Sequence, residues 1–535
     1  MTDRYKAYLD TQTMKYTSGQ IGRRTFIRSV VGAGVAVPAA LSMASQVEAM
    51  TPKMGGDLKI GRGHGSTTDS MDPSTYENSF TTAMGYLWGN HLVEVGPDMK
   101  LRGELAESWE PRNGGSTWVF NLRPDVTFTN GKTVAPEDVI ATFNYHRGDD
   151  SKSAAKGLLT PVTDIKAEGN SVVFDLTAPN ADFPYIVSDY HLIIMPSKDG
   201  MVDPTSGIGT GGYVIETFEP GVRVLASKNP NYFKSDAAFV DSVEMLSIVD
   251  LTARQNALLS GQVHVADRLD PKTVALLARA PNINVKESTG FLHYTFPMRV
   301  NTAPFDNYDL RMALKWSVNK QEMLDKILLG HGTIGNDHPI SPSVPFWADL
   351  PQRDFDPDKA AEHYKKSGHS GPIQLSASDA AFAGAVDAAQ LIQASAAQAG
   401  IEIEVVREPS DGYWSNVWNK KGWCACYWGG RPTQDWMYSS AYVDSTEWND
   451  TAWRDTESAV RFNEVVKTAR AELDESKRAE MYKEAQMLIH DDGGVILPMF
   501  ANYIEGLSNK VAHGEATASN WGMDGEKAPE RWWLT

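Results

Sequence analysis

A chain of 535 residues is too long for one hydrophobic core and divides into two or three domains. Its 50 Lys and Arg stand against 68 Asp and Glu, a formal net charge of -18, which disfavours nucleic acid as a partner and reads as a solubility feature. Cys424 and Cys426 are the two cysteines, and their Cys-x-Cys spacing suits neither a disulfide nor a four-ligand zinc site. The fold is therefore expected to stand on packing, without metal or cofactor.

The first 49 residues read as an export signal. Residues 1–21 are polar and unpatterned. Gly22-Arg23-Arg24-Thr25-Phe26-Ile27-Arg28 follows, then a mildly apolar run from Val30 to Ser45, then the small-residue cleavage pattern Val47-Glu48-Ala49. The paired Arg23 and Arg24 mark the twin-arginine route, with Gly22 in place of the usual Ser or Thr. A transmembrane anchor is the alternative, but the run falls short of the roughly 20 apolar residues a span needs. With no cysteine near the cleavage point, the expectation is a soluble, non-lipidated periplasmic protein beginning near Met50 and engaging the twin-arginine translocase during export.

Strands and helices alternate along the rest of the chain, which indicates an α/β architecture. Asp57-Leu58-Lys59-Ile60 predicts a first strand entering a flexible Gly61-x-Gly63-x-Gly65 turn. Alternating Trp118, Phe120 and Leu122 predict a strand over 117–122, and 171–176 reads as another. Leu310, Leu314, Val318, Leu324, Ile327 and Leu328 predict one helix over 309–329, capped by Asp306 or Asn307 and stopped by Gly330. A second amphipathic helix spans 476–490, and Val495-Ile496-Leu497 reads as a buried strand.

Catalytic patterns fail on inspection. Gly131-Lys132-Thr133 lacks the upstream glycine of a phosphate loop, since Val126 stands there. Ser317-Val318-Asn319-Lys320 has Ser-x-x-Lys spacing but sits inside the predicted helix without partner motifs. No nucleophile, base and orienting group assemble, so the chain does not read as an enzyme. A secreted hydrolase is the least favoured alternative.

Between 105 and 145 the sequence becomes recognisable: Leu105-Ala106-Glu107-Ser108-Trp109, Thr117 to Arg123, Val126 to Gly131, and Ala135-Pro136-Glu137-Asp138-Val139. Further landmarks follow in order: Gly209-Thr210-Gly211-Gly212-Tyr213, Asn229-Pro230-Asn231-Tyr232-Phe233, Arg254 to Gly261 with Asp267, and Asn301, Pro304-Phe305 and Asp309-Leu310-Arg311. The chain resembles the family 5 extracellular solute-binding proteins, the dipeptide and oligopeptide binders of ABC importers. The resemblance implies a two-lobed, type II periplasmic binding protein fold with an inserted domain and a ligand cleft between the lobes. Lobe I would comprise 52–85, 208–290 and 501–535, the inserted domain 86–207, and lobe II 291–500. Crossing segments near Phe291–Val300 and Met499–Tyr503 would form the hinge. Implied partners are an inner-membrane ABC permease with its ATPase subunits and a peptide or peptide-like solute; the protein would be a monomer.

Seven of the fifteen tryptophans fall between residues 413 and 453. At the centre lies Tyr427-Trp428-Gly429-Gly430-Arg431-Pro432-Thr433-Gln434-Asp435-Trp436, whose glycines and proline predict a shaped loop beside aromatic walls. The resemblance puts the ligand loop here and makes Asp435 the match for a carboxylate that takes a peptide amine, while Arg431 could fork onto a ligand carboxylate. Trp448, Asn449 and Trp453 could close one side of the pocket. Arg299 on the first crossing segment, and Tyr76 and Glu77 after the first strand, are further candidates, whereas Trp418 and Trp423 read as core. Two ligand classes stay open: a peptide-like zwitterion, or a quaternary-ammonium or opine-type solute in an aromatic cage.

Overall fold

The computed structural model describes residues 3–17, 20–41, 51–148, 150–472 and 474–535. A seven-stranded sheet forms the first lobe, in the order Tyr213–Glu219, Arg223–Lys228, Ser242–Ser247, Asp57–Arg62, Val265–Ala266, Tyr503–Ser508, Ile283–Ser288. Asp57–Arg62 runs parallel to both neighbours. Its alternation is the reason it forms: Leu58 and Ile60 enter the core beside Val243 and Met245, while Lys59 turns outward to Glu244 at 3.1 Å.

A second, antiparallel sheet orders Ala106–Arg112, Thr117–Leu122, Ser171–Leu176 and Val162–Glu168. The helix Pro136–His146 packs on it, with Phe143 4.8 Å from Phe174. Asp138 holds the start of that helix by accepting from the Ala135 N–H at 3.0 Å.

The second lobe carries a four-stranded sheet ordered Gly332–Ile334, Val495–Ala501, His293–Pro297, Cys426–Trp428. A parallel pair, Ile373–Ala377 and Ile403–Arg407, joins it through a bridge between Ser376 and Cys424. The two chain crossings are now explicit. Ile283–Ser288 and Tyr503–Ser508 pair in the first lobe, and their continuations, His293–Pro297 and Val495–Ala501, pair in the second. Gly290 sits between them, where a Cβ would stand 2.4 Å from the Ser519 carbonyl oxygen and 2.6 Å from the Tyr503 ring.

An ion network ties the C-terminal segment to the other two bodies. Lys527 lies 2.7 Å from Glu104, and Lys234 lies 2.8 Å from Glu104 and from Glu530 and 3.0 Å from Glu94. Glu94, Glu104 and Glu530 are the one carboxylate group among the described residues close enough to share a metal ion, but the two ammonium groups already fill that position.

Three sequence expectations need correction. The predicted helix over 309–329 is broken into Tyr308–Trp316, capped by Asn307, and a separate piece from Lys320 that passes into a π-helical turn, Leu324–Leu328. Asn319 causes the break, because its side chain accepts from the Glu322 N–H and starts a new helix. Leu329, at φ 50°, ends the run one residue before Gly330. The glycines at 61, 63 and 65 are close-packed: a Cβ on Gly63 would stand 2.9 Å from the Arg254 guanidinium, and one on Gly65 2.3 Å from Ser247 Oγ. Residues Asp3–Thr17, read as unpatterned, form a helix packed against Arg23–Gly32, with Tyr16 stacked on Phe26 at 4.7 Å. Arg23 and Arg24 are exposed on the second of these helices. The cleavage pattern at 47–49 lies outside the described residues. Among the described residues no helix is long and apolar enough to cross a membrane.

Candidate ligand-binding cleft

The second-lobe wall is built on the edge strand Cys426–Trp428. Strand alternation buries Cys426 and leaves Tyr427 on the opposite, half-buried face. Trp418, Trp428 and Trp448 form a triangle with centroids 6.0, 6.1 and 5.9 Å apart. Asp450 locks two of them, accepting from the indole N–H of Trp418 at 3.0 Å and of Trp428 at 3.1 Å. Burial pushes the Asp450 carboxyl up to about 6, against the pull of those hydrogen bonds. Trp414 adds an edge-on contact to Tyr427 at 5.4 Å.

The loop after Trp428 threads between the crossing segment and the C-terminal segment. A Cβ on Gly430 would lie 2.2 Å from Phe291 Cβ and 2.6 Å from the Asn520 carbonyl oxygen, and one on Gly429 would lie 3.1 Å from the Trp521 ring. Gly430 is therefore demanded by the close approach of backbone and Phe291, while Gly429 fits tightly against the Trp521 side chain. Arg431 comes next. Its guanidinium sits 5.7 Å from the Trp436 ring and 5.8 Å from the Trp521 ring. It donates only to neutral oxygens, Ser440 Oγ at 3.3 Å and the Gly429 and Gly430 carbonyls at 3.4 and 3.2 Å. Thr433 then caps the helix Gln434–Ala441 by accepting from the Trp436 N–H.

The opposing face comes from the first lobe and the inserted domain. His191 places both ring nitrogens on acceptors, Asp189 Oδ1 at 2.5 Å and the Tyr76 carbonyl at 2.9 Å, and its ring stands 6.1 Å from Trp448 across the cleft. Burial alone would raise the Asp189 carboxyl, but His191, with Arg431 beyond, holds it below the ordinary range. Tyr190 packs on Trp521 at 5.4 Å. Burial raises its phenol, and Arg431, Asp189, Tyr427 and Glu77 all act on it electrostatically, which gathers these groups around one ring. Glu77 keeps exposed surface yet stands deep enough for desolvation to raise its carboxyl, with His191 opposing the shift. His64 lies 5.9 Å and the Arg268 guanidinium 5.1 Å from the Tyr427 ring.

The cleft thus brings together Tyr427, Trp428, Gly429, Gly430, Arg431, Trp448 and Glu77 from the sequence expectations, while Trp436 is fully buried in the core behind Arg431. Others are committed elsewhere. Asp435 has no exposed surface and pairs with Arg470 at 2.8 Å. Asn449 is buried and staples its own turn through the Tyr442, Val443 and Trp453 carbonyls. Trp453 is core, its N–H on Asp492 at 2.8 Å. Arg299 donates to Asn419 of its own lobe. Tyr76 is fully buried, its hydroxyl on the Met71 carbonyl. Trp423 is core as expected, whereas Trp418 is half-buried on the cluster. His64, Tyr190, His191, Arg268 and Trp521 are not among the sequence expectations; they come from four separate segments, with Tyr190 and His191 adjacent, and no local pattern marks them.

Residues 100–450 match the family model described as bacterial extracellular solute-binding proteins, family 5. The chain is 24% identical over 435 residues to the Di/tripeptide-binding protein 1 of Pseudomonas aeruginosa, covering 73% of this chain and 79% of that one. It is also 24% identical over 472 residues to the glutathione-binding protein GsiB of Salmonella paratyphi A, covering 84% and 90%. Among solved structures, the periplasmic binding protein DppA of Helicobacter pylori, in complex with the peptide STSA, superimposes with a TM-score of 0.79 at 20% identity, over 90% of this chain and 99% of that one. AgaA of A. tumefaciens R10, in complex with agropinic acid, gives 0.80 at 19% identity over the same shares. A two-lobed fold with a cleft of this make-up, and a family match over most of the chain, lead to one conclusion: this chain belongs to the bacterial extracellular solute-binding proteins, family 5.

Proposed function

We propose that the protein captures a peptide or peptide-like zwitterion in the cleft and delivers it to the permease and ATPase subunits of an ABC importer, without chemistry on the ligand. The observation that carries this reading is Arg431: a guanidinium set against the rings of two tryptophans that meet edge-on, with no carboxylate in ion-pair contact among the described residues. A ligand carboxylate would complete it through charge-assisted hydrogen bonds. Exposed Glu77 is the acid available for the ligand amine, since Asp435 serves Arg470. Aromatic walls from both lobes would bury the ligand, and closure would follow from contacts made to both lobes at once.

The quaternary-ammonium reading fits less well. A cation seated among Trp418, Trp428 and Trp448 would stand roughly 3.5 Å from every centroid, too close for a trimethylammonium group. Export by the twin-arginine route through Arg23 and Arg24, a soluble, non-lipidated periplasmic location and a monomeric state complete the proposal.

Tryptophan fluorescence and thermal shift against di- and tripeptides test it. Binding that falls at least tenfold in Arg431→Gln, with the melting temperature held, is the expected result. Unchanged affinity in that variant removes Arg431 from the site, and a response confined to sugars or quaternary amines rejects the peptide-like class.

A further inference from the structure

Arg268 is a second guanidinium on the cleft without an acid, and it belongs to the opposite lobe from Arg431. It follows Val265–Ala266 and holds φ 49°, in the left-handed region. Arg254 fixes this turn, donating to the Asp267 and Arg268 carbonyls at 3.0 Å each. The half-buried side chain reaches the Tyr427 ring of the second lobe at 5.1 Å. The neighbouring acids are spoken for: Asp267 and Glu526 take Arg62, and Asp267 also faces Arg254 at 3.6 Å. No carboxylate among the described residues pairs with Arg268.

His64 sits on the same ring, 5.9 Å from it. The Ser79 backbone N–H donates to its Nδ1 at 3.3 Å, so Nδ1 is an acceptor and the proton sits on Nε2. Burial, with Arg268, Arg62 and Arg254 adding to it, keeps the imidazole neutral well below its ordinary range. Two donors thus flank the Tyr427 ring, the Arg268 guanidinium and the imidazole N–H, with Arg62 and Arg254 behind them. Of the three guanidiniums here only Arg268 is left without a carboxylate, and an entering anion would supply it.

We propose that Arg268 and the Nε2–H of His64 form a second anion subsite, so that the ligand is a small amine bearing two acid groups, one for Arg431 and one for Arg268. This rests on the peptide-like reading of the cleft and narrows it. Two sources share this chemistry, acidic short peptides and N-carboxyalkyl amino acids.

The test is fluorescence titration and calorimetry of the purified protein with two matched pairs: Ala-Glu against Ala-Gln, and N-(1-carboxyethyl)alanine against N-ethylalanine. The acidic member of at least one pair is expected to bind tenfold or more tightly than its partner, and the responding pair identifies the source. Arg268→Gln should bring the ratio below threefold, and His64→Phe, which keeps the ring but loses the donor, should lower it by at least threefold. Arg102→Gln, in an exposed pair with Asp98, should leave it unchanged. Equal affinity within both pairs, or a ratio that survives Arg268→Gln, overturns the subsite while leaving the peptide-like reading intact. Silence from all four probes, with or without a hit among sugars or quaternary amines, overturns both.

Discussion

Asp435 and Arg470 form a buried ion pair between two helices of the second lobe, Oδ1 to Nε at 2.8 Å, and Arg470 also reaches Ser439 at 2.8 Å. The other carboxylate oxygen, Oδ2, has no partner. Asp435 is thus spent on holding Gln434–Ala441 against Glu457–Ala471. Asp435→Asn is expected to cost about 3 kcal/mol, because one buried charge loses its mate. Ligand affinity of the folded variant should stay within twofold. Chemical denaturation and calorimetry on one sample decide it: a tenfold affinity loss at unchanged stability would return Asp435 to the ligand site.

A pH signature follows from Asp450. Its folded-state value of about 6 lies above the ordinary carboxylate range, chiefly through burial. The protonated form is therefore favoured by folding, and its stabilisation is full below about pH 4 and lost as pH rises through 6. Each unit corresponds to ~1.4 kcal/mol, so the loss approaches ~3 kcal/mol. In Asp450→Asn the fall in stability between pH 4 and pH 7 should shrink by about that amount in urea melts. Parallel pH profiles for the two proteins would reject the assignment.

Asp182 of the inserted domain is bound by Arg478 of the second lobe, and the Ala181 N–H donates to the Arg470 carbonyl at 3.2 Å alongside. These contacts lie away from the crossing strands and join the bodies that must part when the cleft opens. Arg478→Gln is expected to weaken ligand binding about three- to tenfold by favouring the open form. Small-angle scattering of the ligand-free variant should show a larger radius of gyration. Unchanged affinity and radius together would make the pair a passive surface contact.

Gly430→Ala tests the threading of the loop. The added methyl would meet the Asn520 carbonyl oxygen at 2.6 Å and Phe291 at 2.2 Å, and a backbone oxygen cannot swing aside. A loss of about 1–3 kcal/mol is expected in denaturant melts. A variant as stable as the parent would show that the C-terminal segment yields at this point.

The sequence reading succeeded where the signal was local. The alternation of Trp118, Phe120 and Leu122 matches the strand Thr117–Leu122 to the residue, Ser171–Leu176 matches likewise, and the apolar stripe over 476–490 falls one residue short of the helix Glu475–Asp491 at each end. It failed where one side chain overrode a period, as when Asn319 recaps the chain inside an unbroken apolar pattern. At the cleft, the density of tryptophans announced the second-lobe wall. The opposite wall is made of scattered residues, His64, Glu77, the Tyr190-His191 pair, Arg268 and Trp521, brought together from stretches up to 457 positions apart. Nor can a sequence tell that Asp435 answers an arginine 35 residues downstream and not a ligand.

The order of synthesis gives the first-lobe sheet a further meaning. Tyr503–Ser508 lies between Val265–Ala266 and Ile283–Ser288, inside the sheet and not at its edge. A nascent chain that carries both neighbours still lacks the strand that pairs with each of them until Tyr503–Ser508 has been made. A chain stopped upstream of Tyr503 is therefore not merely shortened: its first-lobe sheet keeps two unpaired strand edges, the kind of surface on which other chains add.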